Sequence, residues 1–224
     1  MPPTPILPAP GGPGPALDPR LVAELAGARW EHAWELTPSI HTAAADPGAR
    51  QRSWTLGEMI RPAAFDAFAV SDQRRVLDLR CGEGWLAHRL LDWGARSVVA
   101  IDDRPDLLRR ARLLRDHFAI PGARLGLLDA AEWQPPADDE RFDVVLLTGA
   151  LERAGDEATL AQARRATRSI CAIECRGTET NLVAEAALAA GFASVDRVRP
   201  PLQAAPAYVV EERDVLIAKA GIRG

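Results

Sequence analysis

The sequence predicts an α/β domain on a mostly parallel sheet, and three observations carry that prediction. Strand-like and helix-like segments alternate along most of the 224 residues. Several strands are almost continuously apolar, as in Phe142-Asp143-Val144-Val145-Leu146-Leu147, the pattern of a strand covered by helices on both faces. Between Val76 and Arg104 a strand, a tight glycine turn, a helix and a second strand succeed one another at the spacing of a right-handed βαβ unit. The length suits one such domain, able to bury roughly 70–75% of the surface that its unfolded chain exposes.

In chain order, residues 1–16 carry seven prolines and too few apolar groups to offset chain entropy, so they read as a disordered tail. Asp18-Pro19 is an N-cap followed by proline at the first helical position, and Leu21, Val22, Leu25 and Ala26 recur at helical spacing, predicting a helix to about Trp34. Turn signals at Thr37-Pro38-Ser39 and Asp46-Pro47-Gly48 make 35–52 a loop, and a second helix spans about Leu56 to Phe68. Residues 17–70 thus form a helical cap or lid, ahead of a sheet domain over 71–224 in which the segment from Pro200-Pro201 to Tyr208 is expected to add the other wall of a site. There, strands near 76–79, 98–101, 124–128, 142–147 and 170–174 alternate with helices near 85–93, 105–118, 157–169 and 181–190. Two last strands, 193–198 and 209–219, are joined without a helix.

A formal charge of −4 gives no global attraction to a phosphate backbone, so a small-molecule partner is favoured over nucleic acid. Arg109, Arg110, Arg112 and Arg115 read as the solvated face of a helix. Three cysteines suit reduced thiols in a cytoplasmic protein, and Cys171 and Cys175, read as out of phase on one strand, do not pinch a metal. No run of about 18 apolar residues predicts a membrane span.

The turn Arg80-Cys81-Gly82-Glu83-Gly84 lets backbone approach a ligand closely, and Asp102 ends the next strand, where a carboxylate accepts both hydrogen bonds of a ribose diol. Two readings compete. Gly82-Glu83-Gly84-Trp85-Leu86-Ala87 fits the dinucleotide pattern of a nicotinamide-dependent oxidoreductase. Asp78 argues otherwise, because a carboxylate at the end of an apolar strand needs a cation or several donors and would repel a pyrophosphate. S-adenosylmethionine, with its α-ammonium, sulfonium, ribose and adenine, suits Asp78, Asp102 and Asp129 on the tips of three successive strands.

Through Val76-Leu77-Asp78-Leu79-Arg80-Cys81-Gly82-Glu83-Gly84, Val99-Ala100-Ile101-Asp102, Leu128-Asp129-Ala130 and Phe142-Asp143-Val144-Val145, the chain resembles the class I S-adenosylmethionine-dependent methyltransferases. The resemblance covers about 53–219. It implies a Rossmann-like, seven-stranded sheet whose last strand is antiparallel, with helices on both faces and an N-terminal helical lid. It also implies that Asp78, Gly82 and Gly84 hold the methionine end, that Asp102 takes the ribose hydroxyls, and that Asp129 with Ala130 meets the adenine. Arg80, Cys81, Asp103 and Thr148 complete the expected cofactor set. Trp30-Glu31-His32-Ala33-Trp34-Glu35-Leu36, Ile40, Thr42 and the run Gly94 to Asp102 are similar to the subgroup of tRNA wobble-uridine modification methyltransferases and their small-molecule relatives, which keeps a tRNA-like acceptor in view.

Two departures stand out. Arg80 replaces the family's first glycine: its side chain points away, pairs with a cofactor carboxylate or a neighbouring Asp, or damages cofactor affinity. After Leu147 the subgroup's Gly-x-Leu-Tyr-His segment reads Gly149-Ala150-Leu151-Glu152-Arg153, so the usual histidine is absent. Candidate catalytic residues are then His32, an imidazole in the Trp-rich segment suited to a base, and Glu152 and Arg153 beyond a strand tip, where they orient a polar acceptor. His88 and His117 read as structural, while Trp85 and Trp133 border the cofactor. The expected activity is methyl transfer to oxygen or nitrogen of a small or medium-sized acceptor. A methyltransferase-like protein serving as a partner-binding or cyclase-type scaffold is the second reading.

Overall fold

A computed structural model of the chain describes residues 17–27, 29–37, 39–42, 46, 48–66, 74–149, 157–204, 206–209 and 212–221. The stretch 1–16 and the candidates Glu152 and Arg153 lie outside the described residues.

The N-terminal part comprises helix α1 (Pro19–Gly27), a short hairpin of β1 (Glu35–Thr37) and β2 (Ile40–His41), and helix α2 (Ala49–Arg61). The sheet domain follows as β3 (Arg75–Leu79), α3 (Trp85–Asp92), β4 (Ser97–Asp102), α4 (Pro105–His117), β5 (Leu125–Asp129), β6 (Phe142–Leu147), α5 (Glu157–Ala166), β7 (Thr167–Arg176), α6 (Thr180–Ala189), β8 (Ser194–Arg197), a one-turn helix α7 (Pro206–Val209) and β9 (Arg213–Lys219). The seven strands lie in the order β5-β4-β3-β6-β7-β9-β8. β3 to β7 pair in parallel, and β9 runs antiparallel to both β7 and β8. Strand order reverses between β3 and β6, whose ends pair at Leu79 and Leu147, which is where open α/β sheets bind ligands.

Strand alternation sorts the core into two layers. Val76, Val98, Ala100, Val144 and Leu146 pack beneath α2, α3 and α4 through Ile60, Leu86, Leu90 and Leu108. Leu77, Ile101, Val145 and Leu147 pack on the other face against Leu160 and Ala163 of α5 and Val183 and Ala187 of α6. Asp78, two residues from Val76, shares the α2–α4 face.

A third cluster joins the N-terminal part to α4: Leu21, Trp30, Trp34 and Leu36 bury themselves against Leu113 and Leu114. Each such side chain contributes about 1.5–3 kcal/mol. Arg109 and Arg110 accordingly do not face solvent alone; both pair with Glu24 of α1, and Arg110 also reaches Glu83.

Five expectations need correction. The first helix stops at Gly27 rather than Trp34, because the backbone N–H groups of Glu31 and His32 donate to the Glu83 carboxylate (2.8 and 3.3 Å) and hold that segment extended. The expected loop contains the β1–β2 hairpin, closed where Trp34 N–H donates to Thr42 Oγ1 (2.7 Å) and Thr42 Oγ1 donates to the His32 carbonyl (2.8 Å). α2 begins at Ala49 rather than Leu56, as Asp46 accepts from Gly48 and Ala49 N–H at its start. The final connection contains α7, with Pro206 at its first position and Tyr208 buried. Cys171 and Cys175, four apart on β7, share a face and both pack into the α5–α6 layer, since a strand repeats every two residues.

Candidate functional site

The turn after β3 is left-handed at three of five residues: Arg80 at φ 62°, Gly82 at 58° and Gly84 at 80°. The glycines adopt this without steric penalty, whereas for Arg80 the same backbone costs about 1–3 kcal/mol. That explains why a glycine is usual there. The Arg80 guanidinium turns to Asp103 (Nη2 to Oδ2, 3.5 Å), so among the alternatives for this side chain it is the neighbouring acid that it meets. Glu83, between the glycines, is fully buried and accepts from Glu31 and His32 N–H, from Trp34 Nε1 (3.4 Å) and from Arg110 (3.3 Å). The turn thereby carries the N-terminal segment on its own side chain.

Two acids flank the turn in opposite states. Asp78 is 0% exposed, and neither of its carboxylate oxygens has a hydrogen-bond partner among the described residues. Burial first, and the nearby Asp102 charge second, push its pKa up to about 8. Asp102 is just as buried but saturated, accepting from Gly82 N–H (2.7 Å), Arg104 N–H (2.9 Å), Arg104 Nε (2.8 Å) and Arg104 Nη2 (3.0 Å). Burial alone would raise its pKa, but the hydrogen bonds from Arg104 and Gly82 outweigh it and hold the carboxyl below its usual range. Arg104 also pairs with Glu31 (3.0 Å), and Glu31 Oε2 sits over Gly82 so closely that a Cβ there would collide with it. Burial raises the Glu31 pKa against the pull of Arg104.

Asp78 and Glu31, but not Asp102, border a cavity of about 450 Å³ at the strand-order reversal, within the range of small-molecule sites. Asp78, Arg80, Cys81, Gly82, Thr148 and His32 all line it. Burial raises the Cys81 thiol pKa strongly, which leaves it a neutral wall rather than a nucleophile. On the far side Glu174, at the end of β7, accepts from Tyr208 Oη (2.6 Å) and pairs with Arg213 (3.1 Å). Burial, then the Glu174 charge, raise the Tyr208 pKa and keep its phenol protonated.

Other expected residues stand outside this wall. Asp102 lies behind Arg104. Gly84 caps α3 and approaches Ala111 of α4. Asp129 accepts from Ala131 N–H (2.9 Å), Ala130 N–H donates to the Asp102 carbonyl (3.0 Å), and Asp103 is exposed and paired with Arg80. Trp85 borders the cavity, whereas Trp133 packs against the α5–α6 layer. Tyr208, at the end of the 200–208 segment expected to add a wall, does line the cavity, whereas Glu31, Glu83, Arg104, Glu174 and Arg213 were not singled out by the sequence. Glu83 had a readable signal, an acid between two turn glycines; the others join the site from segments distant in the chain.

Residues 76–170 match the family model described as a methyltransferase domain. The match covers less than half of the chain and likens the stretch from β3 to the start of β7 to such a domain. An uncharacterised methyltransferase of Schizosaccharomyces pombe is 41% identical over 83 residues, 37% of this chain and 29% of that protein. A tRNA U34 carboxymethyltransferase of Methylococcus capsulatus is 41% identical over 90 residues, 38% of this chain and 26% of that protein. The matched stretch thus spans between a quarter and a third of the length of these relatives. Among solved structures, the N-terminal domain of EvdMO1 with S-adenosylhomocysteine bound superposes with a TM-score of 0.65 at 20% identity, covering 89% of this chain and 94% of that one. Sheet order, antiparallel last strand and neighbours agree: the domain has the class I, Rossmann-like fold of S-adenosylmethionine-dependent methyltransferases.

Proposed function

We propose that this chain binds S-adenosylmethionine and transfers its methyl group to oxygen or nitrogen of a small or medium-sized acceptor. The observation that carries this reading is Asp78: a buried carboxylate without a partner among the described residues, beside a left-handed turn, fits an arriving ammonium and, once ionised, repels a pyrophosphate. The same repulsion argues against a nicotinamide dinucleotide. Asp78 and the turn at Gly82 and Gly84 would hold the methionine end. Asp102 would take the ribose once Arg104 yields, and Asp129 with Ala130 would face the adenine.

Bound there, the cofactor supplies an activated methyl group, so alignment of the acceptor accounts for most of the catalysis and a base is needed only where the acceptor must lose a proton. His32, stacked on Trp85 (5.3 Å, 8°) in the cavity wall, serves as that base, with Glu174 as a second candidate held by Tyr208 and Arg213. Glu152 and Arg153 keep their proposed role in orienting the acceptor. Residues 17–70 act as a lid over the 71–224 domain, and the protein works in the cytoplasm on a soluble acceptor. Among the described residues no helix is long and apolar enough to cross a membrane.

Isothermal titration with S-adenosylhomocysteine tests the cofactor assignment, with saturable binding at micromolar concentration expected. No heat at millimolar ligand would sink it. The second reading, a scaffold that keeps the cofactor without transferring methyl groups, draws support from Arg104, which occupies the ribose acid. A radiolabelled methyl transfer to any member of an acceptor panel would remove it.

A further inference from the structure

A second cavity, about 460 Å³, lies on the other side of His32 and Trp85 from the first, between the N-terminal segment, α2 and α3. His32, Ser53 and Trp85 line both cavities, so the two adjoin through that wall. Nothing in the proposed chemistry uses it. Its lining is unusual for a chain with six tryptophans in all, because four of them, Trp34, Trp54, Trp85 and Trp93, converge there. Gly57 of α2 also faces it, close enough to Trp93 that a Cβ would stand 3.3 Å from the indole ring. Helix and ring thus leave a slot with aromatic walls.

The polar groups of this slot are of two kinds. Arg50 and Arg89 stand there with Glu35, Glu58 and Asp92, a set with no excess of positive charge to follow a phosphate backbone. Deeper in, His88 is 7% exposed, its ring set edge-on to Trp34 (4.9 Å) and Phe118 (5.5 Å), and its Nε2 has no hydrogen-bond partner among the described residues. Burial pushes the His88 pKa down to about 3, so the imidazole is neutral and Nε2 can either accept from or donate to a hydroxyl, according to tautomer. A buried polar atom without a partner is costly, and a ligand that supplies one recovers that cost.

We infer that this cavity is a binding site for a planar aromatic molecule carrying a hydroxyl group, stacked among the tryptophans with the hydroxyl on His88 Nε2. Its continuity with the first cavity makes that molecule the aromatic part of the methyl acceptor, a role that rests on the cofactor reading above; the binding itself does not. Trp54 is 41% exposed, so its removal opens one wall without emptying the core. His88→Phe keeps an aromatic ring in place, slightly larger, and removes both ring nitrogens.

The test is a ligand-observed NMR titration of the whole chain with 2-naphthol, without cofactor. Saturable binding is expected at or below about 1 mM, as suits a fragment of this size. Trp54→Ala should weaken it by about fivefold or more, the lower end of what an aromatic stacking partner contributes. His88→Phe should weaken it by about fivefold, the share of one hydrogen bond. S-adenosylhomocysteine, titrated into the same samples, should bind both variants as it binds the parent; its failure to bind the parent would remove the cofactor reading and leave the aromatic site standing. Absence of 2-naphthol binding at 1 mM, or equal binding by the parent and both variants, would overturn the inference. Tighter binding of uridine than of 2-naphthol would also overturn it, in favour of a nucleoside acceptor.

Discussion

Asp78 and Asp102 stand on adjacent strands, equally buried, and differ in almost everything else. Asp102 accepts four hydrogen bonds from its own chain and is held ionised. Asp78 accepts none among the described residues and is held toward its protonated form. A satisfied buried acid contributes to the fold; an unsatisfied one stores a demand for a partner, which the fold tolerates only because neutralisation is cheaper than burying a bare charge. In the proposed site, the end assigned to methionine would therefore be open and the end assigned to ribose closed, though both strand tips look alike in sequence.

The harshest way to break this comparison is Asp78→Asn. Losing a buried charged partner should weaken S-adenosylhomocysteine by about 3 kcal/mol, roughly a hundredfold, in isothermal titration. Unchanged affinity would make Asp78 an ordinary buried acid.

Next comes pH. Because Asp78 must release its proton to pair with an ammonium, affinity should rise about tenfold per unit from pH 6 toward 8, and titrations at pH 7 in buffers of different ionisation enthalpy should report about one proton released per ligand bound. Without ligand the sign is opposite. The Asp78 pKa lies above the ordinary 3.8, near 8, so its contribution to stability is complete below about 4 and lost as pH rises through about 8. The melting temperature of the parent should fall relative to Asp78→Asn across that window.

The closed end gives a smaller effect of opposite sign. Arg104→Ala leaves Asp102 free for ribose hydroxyls and should tighten S-adenosylhomocysteine by about 1 kcal/mol, one competing hydrogen-bond set removed. Weaker binding would show that Arg104 touches the ligand rather than competing with it. Smallest is Arg80→Gly, which relieves a left-handed backbone and should raise unfolding free energy by about 1 kcal/mol in urea titrations, unless its contact with Asp103 offsets the gain.

These contrasts show which parts of the molecule were legible in its sequence. The strands from β3 to β7 announced themselves, since a run such as Val144 to Leu147 tolerates no other placement, and Gly82 and Gly84 marked the turn by their conformational freedom. The N-terminal part was misread because its shape is set from outside: the Glu83 carboxylate, some fifty residues later, draws 31–32 out of a helix. Nothing local in the sequence foretells that the Arg104 guanidinium folds back onto Asp102. Glu174 and Arg213 meet because β7 and β9 are neighbours in the sheet, and α7, just ahead of β9, brings Tyr208 to the same carboxylate. Such long-range pairings have no local pattern to read.

Glu83 has a practical consequence as well. The carboxylate that binds the backbone of 31–32 also receives the indole N–H of Trp34, so the fluorescence of that ring reports on a turn it is not part of. In a variant whose other five tryptophans are replaced by phenylalanine, rapid mixing with S-adenosylhomocysteine would test whether this coupling reaches the ligand: a change in Trp34 emission on binding would tie the turn to the segment 31–34, and no change would separate them.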